Sequence, residues 1–236
     1  MLKFIGSGSA FNTALGNNSA YYKKASSLLL LDCGSSVFSR IRRLDLLDNI
    51  NKLYILITHL HPDHVASLGD LIFYVFYAMK MKAAVYTPDT ENLSQLLKYM
   101  GVKDEVYDLI KLEGEHEIID ENLQITVQAC KTIHTESLNS YGYLMNMEGS
   151  KLFYSGDSRE IPSDIIKLLG QGHLDRLYQD TCGYDFEGNP HMSFDSLCAA
   201  IGMELRSKVY CMHLDEDFDR TKALEKGFNV VRNEFV

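Results

Sequence analysis

The stretch Thr58-His59-Leu60-His61-Pro62-Asp63-His64 places three histidines and one aspartate directly after the apolar run 53–57. Such a run is typical of a strand covered on both faces of its sheet, so the polar side chains follow at its carboxyl end. Residues two apart in an extended chain face the same way, and His59 and His61 therefore converge. Pro62 then turns the chain and redirects Asp63 and His64 toward a neighbouring position. This spacing predicts two adjacent metal ions, and imidazole with carboxylate favours zinc or manganese.

A loop that is rich in histidine by chance is the alternative to a metal site. The chain has eight histidines in 236 residues, and a random spread would rarely place three of them with an aspartate so close together. Three further candidate ligands each follow an apolar or strand-like run and begin a turn, which predicts that they reach the same edge of the sheets. These candidates are His134, Asp157 and His213. The metal site is therefore the favoured interpretation.

Composition and charge narrow the class of protein. With 46% apolar and 23% charged residues, the chain has the make-up of a folded globular protein. Its formal net charge of -9 disfavours a broad, non-specific nucleic-acid binder. No apolar run approaches the roughly 18 residues of a membrane-spanning helix and no signal peptide is recognisable, so the expected location is the cytoplasm. The five cysteines are scattered without a C-x-x-C pair, which is typical of buried thiols in a reducing compartment.

Strand-like and helical patterns continue from end to end without a linker, which predicts a single domain over 1–236. The strands gather in clusters and then alternate with helices, an order typical of an α/β (α+β) sandwich of mixed sheets with helices on both outer faces. The patterns predict strands at 2–5, 21–22, 27–31, 53–57, 84–86, 123–131, 141–146, 151–154, 174–179 and 208–212. They predict helices at 35–47, 65–82, 92–100, 161–169, 194–205 and 221–226.

The pattern H-x-H-x-D-H of residues 59–64 resembles the signature of the metallo-β-lactamase superfamily. Asp32, in Leu-Leu-Asp-Cys-Gly, resembles the early aspartate of that superfamily, and the later candidate ligands follow in the correct order. The resemblance covers nearly the whole chain and implies a four-layer αββα sandwich that binds two Zn²⁺ per chain, with Mn²⁺ as an alternative. The implied ligands are His59, His61 and His134 for one ion and Asp63, His64 and His213 for the other, with Asp157 bridging.

Two divalent ions about 3.5 to 4 Å apart can hold a hydroxide between them and stabilise the charge on a phosphoryl group. Zinc ionises its bound water near neutral pH, so no separate strong base is needed. Asp63 is a candidate to orient that hydroxide, whereas Asp32 is expected to support the metal loop. The superfamily's fold hosts hydrolases of β-lactams, thioesters and phosphodiesters as well as oxidoreductases, so the metal motif leaves the substrate open.

Two further segments point to one branch of the superfamily. Gln-Asp-Thr-Cys at 179–182 and Asn-Pro-His-Met-Ser at 189–193 resemble the paired motifs of the ribonuclease Z branch, and His191 then resembles its catalytic histidine. In that role His191 would either donate a proton to the leaving oxygen or hydrogen-bond the phosphorane oxygens, while Asp180 keeps the imidazole protonated. The alternative is that His191 caps the following helix. The branch usually has His-Glu-Ala-Thr where this chain has Gln-Asp-Thr-Cys, which leaves the role of Asp180 open.

Only 22 residues separate His134 from Asp157, which leaves no space for the long tRNA-gripping arm of bacterial ribonuclease Z. A large structured RNA is therefore a poor candidate substrate. A compact phosphodiesterase without the arm resembles the phage anti-Pycsar proteins and their bacterial relatives. That resemblance implies a homodimer that hydrolyses 3′,5′-cyclic nucleotides such as cCMP, cUMP, cAMP and cGMP to linear monophosphates, countering antiphage signalling in the host cytoplasm. The alternatives are a tRNA 3′-processing endonuclease and a non-catalytic protein that sequesters a nucleotide.

Two other features leave alternatives open. The loop Gly-Ser-Gly-Ser-Ala-Phe-Asn-Thr at 6–13 offers amides and hydroxyls that could hold a phosphate or ribose, and a simple turn explains it equally well. Arg40, Arg42 and Arg43 could attract an anion, although a solvated helix face is the favoured interpretation. The candidates for a dimer interface are the aromatic residues of the helix predicted at 65–82 and the segment Tyr21-Tyr22.

Overall fold

Two mixed β-sheets form the centre of the structure, a computed structural model that describes residues 1–235. The first sheet contains β1 (Lys3–Gly6), β2 (Ser19–Lys24), β3 (Ser27–Leu31), β4 (Lys52–Leu56), β5 (Ala83–Thr87) and β6 (Tyr107–Lys111). Its strands lie in chain order. The first three pair antiparallel, and β3 to β6 pair parallel.

The second sheet contains β7 (Glu115–Ile119), β8 (Gln124–Thr132), β9 (Ser140–Met147), β10 (Ser150–Tyr154), β11 (Arg176–Asp180), β12 (Val209–Met212) and β13 (Asn229–Val230). These strands also lie in chain order across the sheet. The strands from β7 to β10 pair antiparallel, and those from β10 to β13 pair parallel. Each sheet is therefore mixed, as the sequence predicts.

The helices lie outside the two sheets. They are α1 (Val37–Arg43), α2 (Pro62–Val65), α3 (Leu68–Phe73), α4 (Thr90–Tyr99), α5 (Ser163–Gly170), α6 (Phe194–Ala200) and α7 (Arg220–Glu225). A π-helical turn, Tyr74–Ala78, continues α3, and 3₁₀ turns lie at Asp104–Val106 and Arg206–Lys208. Across residues 1–235, none of the helices combines the length and the apolar character that crossing a membrane requires.

Three apolar clusters define the layers. Ile55 of β4 lies in a cluster that joins the first sheet to α1 and α3, and its neighbour Leu56 lies in the cluster between the two sheets. Successive side chains of a strand point to opposite faces, so one buried strand supplies both clusters. A third cluster joins the second sheet to α5, α6 and α7. Each fully buried large apolar side chain contributes roughly 1.5 to 3 kcal/mol. The predicted four-layer αββα sandwich is confirmed.

The predicted elements differ from the structure in two ways. The strands that the sequence patterns miss are β6, β7 and β13, and all three lie at sheet edges. An edge strand faces solvent on one side, so its sequence lacks the apolar run that marks a central strand.

The single helix predicted at 65–82 is divided, because Ser67 interrupts it and donates its hydroxyl to the carbonyl of Gly34 at 2.6 Å. The helices predicted at 35–47 and 194–205 end early, at Arg43 and Ala200.

One edge of the sandwich collects the ends of several central strands. In the second sheet β8 and β10 flank the antiparallel β9, so they run in the same direction, as do β11 and β12. Their carboxyl ends therefore reach one edge of that sheet. The loops after β3 and β4 of the first sheet bring Asp32 and the motif of residues 59–64 to this edge, where Asp32 contacts His64. The fold thus assembles residues that are far apart in the chain.

Candidate metal centre and active site

The first group of candidate ligands consists of three imidazoles and a carboxylate. His61 Nδ1 lies 3.1 Å from His59 Nε2 and 3.1 Å from His134 Nε2. Asp157 Oδ2 lies 3.7 Å from the Nε2 atoms of both His59 and His134. His59, His134 and Asp157 are buried, and His61 is half-buried. This group matches the first ligand set that the sequence resemblance implies.

The second group shares Asp157 with the first. His64 Nε2 lies 3.1 Å from Asp157 Oδ1 and 3.3 Å from Asp63 Oδ2. His213 Nε2 lies 3.3 Å from Asp63 Oδ2 and 3.4 Å from Asp157 Oδ2. All four residues are buried. Within each group, the candidate ligand atoms lie within 4.8 Å of one another. The structure therefore brings together every metal ligand that the sequence predicts.

The hydrogen bonds of the histidines leave lone pairs pointing at the centre of each group. His134 Nδ1 donates to the carbonyl of Pro190 at 3.0 Å, so its Nε2 carries a lone pair. His64 Nδ1 donates to Asp32 at 2.9 Å, and its buried Nε2 has no hydrogen-bond partner among residues 1–235. Lone pairs this close to other nitrogens and to carboxylates repel unless a proton or cation lies between them. A divalent cation in each group would remove that repulsion, and the donor sets fit zinc or manganese.

Burial and nearby charges shift the pKa values of the histidines differently in the two ligand groups. Burial lowers the pKa of His59 well below its ordinary value, and it also lowers the pKa of His61 and of His134. Burial alone would lower the pKa of His64 as well, but the charges of the surrounding carboxylates raise it well above its ordinary value. The first group therefore consists of neutral imidazoles, the form that ligates a metal. In the second group, a cation would replace the proton that the carboxylates attract.

Asp32 supports the metal loop, as the sequence predicts. It is fully buried and has a left-handed backbone with φ of 62°, which a residue other than glycine rarely adopts. Its carboxylate accepts hydrogen bonds from the backbone and hydroxyl of Thr58 and from His64. Thr58 in turn contacts His59 Nδ1 at 3.0 Å, which leaves His59 Nε2 for a metal. One carboxylate thus orients a ligand in each group.

His191 and Asp180 form a pair beside the ligand groups. His191 Nδ1 donates to Asp180 Oδ2 at 2.7 Å, and the same oxygen accepts from the backbone of Ser158 at 2.9 Å. Asp180 is fully buried, and its other oxygen lies 3.3 Å from His213 Nδ1. Burial alone would lower the pKa of His191, but the Asp180 carboxylate raises it above its ordinary value.

The helix after His191 is capped by Ser193, whose hydroxyl accepts from the Ser196 backbone, so the capping role for His191 is wrong.

A cavity of about 420 Å³ opens onto these residues. Its volume falls in the range of roughly 300 to 1,000 Å³ that is usual for small-molecule sites. Most of its lining surface is apolar. The lining residues are Ala10, Phe11, Asn17, Ser35, His61, Pro62, Asp63, His134, Thr135, Asp157, Pro190, His191 and His213. The cavity therefore joins both ligand groups and His191 in one space.

Part of the loop at 6–13 is bonded within the protein, which favours the simple turn over a phosphate cradle. The amides of Ser7, Gly8 and Ser9 donate to backbone carbonyls. The solvated helix face predicted for the arginines is wrong in part. Arg40 donates to the carbonyls of Ile5, Ala14 and Leu15 and so ties this loop to α1.

The sequence patterns missed two contributors to the site. Thr58 and the carbonyl of Pro190 fix the tautomers of His59 and His134. A backbone carbonyl carries no residue-specific signal, and a threonine beside a histidine motif has no distinctive pattern. Of the two histidines without a predicted role, His116 packs on the ring of Tyr86, and His173 follows α5 at the surface.

The two mixed sheets, the outer helices and the shared aspartate between two ligand groups define a protein of the metallo-β-lactamase fold. A metallo-β-lactamase fold protein from Bacillus subtilis, YhfI, superposes with a TM-score of 0.73 at 18% identity. The match covers 99% of this chain and 97% of that chain.

The family can be stated more narrowly than the fold. The family model for anti-Pycsar protein Apyc1 matches residues 1–235, and the chain belongs to this family. An anti-Pycsar protein Apyc1 of Paenibacillus harenae is 26% identical over 241 residues, which cover 98% of this chain and 96% of that protein. A relative with the same name in Bacillus phage 010DV004 is 28% identical over 245 residues, covering 92% and 90%.

Proposed function

We propose that the protein is a metal-dependent phosphodiesterase that hydrolyses 3′,5′-cyclic nucleotides to linear monophosphates and so counters cyclic-nucleotide antiphage signalling. The observation that carries this proposal is the cavity into which both ligand groups and the His191–Asp180 pair open. The anti-Pycsar name of the relatives supports the biological role. The ligands are those that the sequence resemblance implies, with two Zn²⁺ or Mn²⁺ ions per chain.

The ligand groups would bind the metals and anchor the phosphate. Two bound divalent ions would supply an activated water and stabilise the negative charge on the phosphoryl group. Asp63 contacts both histidines of the second group and also lines the cavity, which suits it to orient the attacking water. Because Asp157 belongs to both groups, it fixes the distance between them.

His191 is placed to act as the general acid. Its Nδ1 is bonded to Asp180, so Nε2 is the ring atom that can give its proton to the leaving oxygen. The attacking water releases one proton to solvent as its oxygen bonds to phosphorus, and the bond from phosphorus to one ribose oxygen breaks. The proton from His191 completes the new ribose hydroxyl, and His191 then regains a proton from solvent. Asp180 stabilises the imidazolium before transfer and holds the ring in orientation.

The size of the site favours a small substrate over tRNA. The interval between His134 and Asp157 is occupied by β9 and β10, which pair within the second sheet, and no protruding arm is present there. The cavity of about 420 Å³ matches a mononucleotide better than a folded RNA. The net charge of -9 points in the same direction.

A substrate competition tests the proposal against both alternatives. Zinc-loaded or manganese-loaded protein is incubated with cAMP, cGMP, cCMP and cUMP and, separately, with a 3′-extended tRNA precursor. We expect linear monophosphates from at least one cyclic nucleotide and much slower cleavage of the tRNA. Faster trimming of the tRNA would support the endonuclease, and tight nucleotide binding without product would support sequestration.

The homodimer implied by the resemblance stays a prediction. Tyr77, in the π-helical turn, is 59% exposed, and this surface is the candidate interface. Light scattering on the purified chain should give twice the monomer mass of 26.8 kDa. A monomer mass would contradict the prediction.

A further inference from the structure

Phe11 is an exposed aromatic residue at the wall of the cavity. Its side chain is 88% exposed, and it lines the same space as the ligand groups and His191. A single exposed phenylalanine is common on protein surfaces. Its place in the cavity that contains both ligand groups is the unusual feature. The proposed catalytic chemistry gives this ring no role.

The loop holds the backbone of Phe11 in place while the ring stays free. The next residue, Asn12, is buried, and its side chain donates to the carbonyl of Leu214 at 3.1 Å. The amide of Ser9 donates to the same carbonyl at 2.9 Å. Leu214 directly follows His213, so these bonds connect the Phe11 loop to the second ligand group. A fixed backbone makes a rigid platform, which lowers the entropy cost of binding against it.

A nucleotide carries a planar base as well as its phosphate. With the phosphate at the ligand groups, the rest of the same cavity, which includes Phe11, is the space available to the base. Every nucleobase has a π-face, so stacking on an aromatic side chain binds bases with little sequence preference. Hydrogen-bonding groups that read the edge of a base are few in this cavity, where apolar atoms predominate.

We propose that Phe11 stacks on the nucleobase of the substrate and is the main binding determinant for that part of the nucleotide. This inference rests on the proposed cyclic-nucleotide activity. Because the base is remote from the reacting phosphorus, the contact is the same in the bound substrate and in the transition state. It therefore lowers KM and leaves kcat nearly unchanged.

The test compares Phe11→Ala with Tyr99→Ala. Tyr99 is a matched control because it is 82% exposed and does not line the cavity. Phe11→Ala should raise KM for cAMP about tenfold with kcat within about twofold, the scale of losing one aromatic stack. The increase should be larger for cAMP than for cCMP because adenine offers the larger stacking surface. Phe11→Trp should retain the wild-type KM, and Tyr99→Ala should match wild type in both KM and kcat.

A substrate without a base separates stacking from a structural effect. Turnover of 1-O-methylribose 3′,5′-cyclic phosphate should be the same for wild type and Phe11→Ala. An equal loss for this substrate and for cAMP, or an unchanged KM for cAMP, would overturn the stacking role.

Equilibrium binding tests the stacking role of Phe11 even if the protein hydrolyses no cyclic nucleotide. If wild type converts no cyclic nucleotide, the activity proposal fails, and binding of AMP to the metal-loaded protein is measured instead. Weaker AMP binding by Phe11→Ala than by Tyr99→Ala would still support stacking, and equal binding would overturn it.

Discussion

The edge of the sandwich where β3 begins and the edge where β3 ends differ in whether hydrogen bonds satisfy their carboxylates. At the edge where β3 begins, Asp120 accepts hydrogen bonds from the hydroxyls of Ser27 and Tyr54 and from the amides of Asn122 and Leu123. At the edge where β3 ends, the buried atoms Asp157 Oδ1, Asp180 Oδ1 and His64 Nε2 have no hydrogen-bond partner in the described chain. At the first edge, neighbouring residues satisfy the hydrogen-bonding capacity of the carboxylate. At the second edge, cations in the two ligand groups would pair with His64 and Asp157, which fits a site that sacrifices stability for function.

The largest expected effect comes from removing the aspartate that both ligand groups share. Asp157→Ala should abolish binding at both groups and lower turnover by about 10,000-fold or more. The metal-free variant should be less stable than metal-free wild type, because His64 and His213 lose the buried carboxylate that pairs with them. Metal content by mass spectrometry, turnover and thermal unfolding check this. His116→Ala, a histidine outside the groups, is the control and should keep its metals.

His191→Ala should retain both metals and lose about 100- to 1,000-fold in turnover, because only the proton donor is missing. Metal content and kcat are measured on the same preparation. His59→Ala is the useful contrast, since it should lose activity by opening the first ligand group. Unchanged turnover in His191→Ala would contradict the general-acid role.

Asp32→Asn should weaken metal binding in the second group by about 10- to 100-fold, because His64 loses the carboxylate that raises its basicity. A competition titration with a metal chelator measures both affinities. The first group should change less, since its link to Asp32 passes through Thr58. An equal change in both groups would mean that Asp32 supports the loop as a whole.

Asp120→Ala should lower the free energy of unfolding by about 1 kcal/mol and leave turnover unchanged, which makes it the counterpart of Asp157→Ala. Burial would raise the pKa of Asp120, but its hydrogen bonds lower the pKa below the ordinary value. A carboxyl with a lowered pKa stabilises the fold above the unfolded pKa of about 3.9, and this contribution disappears as the pH falls. Denaturant unfolding at pH 7 and pH 3 should therefore show a smaller difference between variant and wild type at pH 3.

The sequence predicts the layers and the metal ligands because both depend on strong local signals. Apolar runs mark the central strands, and the cluster at residues 59–64 marks the ligands. The edge strand β7 was missed because its sequence, Glu-His-Glu-Ile-Ile, has neither an apolar run nor a regular alternation of polar and apolar side chains. The break at Ser67 depends on its hydrogen bond to Gly34, which is distant in the chain. The sequence predicts that Asp180 pairs with His191, but only the folded structure shows that Asp180 also lies beside His213.

The most direct test of the central claim is hydrolysis in isotopically labelled water. Metal-loaded protein is incubated with cCMP in H₂¹⁸O, and the product is examined by mass spectrometry. We expect linear cytidine monophosphate with one ¹⁸O in its phosphate, formed by the metal-loaded protein and not after chelation. Bound but unchanged cCMP, with both metals present and the other cyclic nucleotides equally intact, would contradict it.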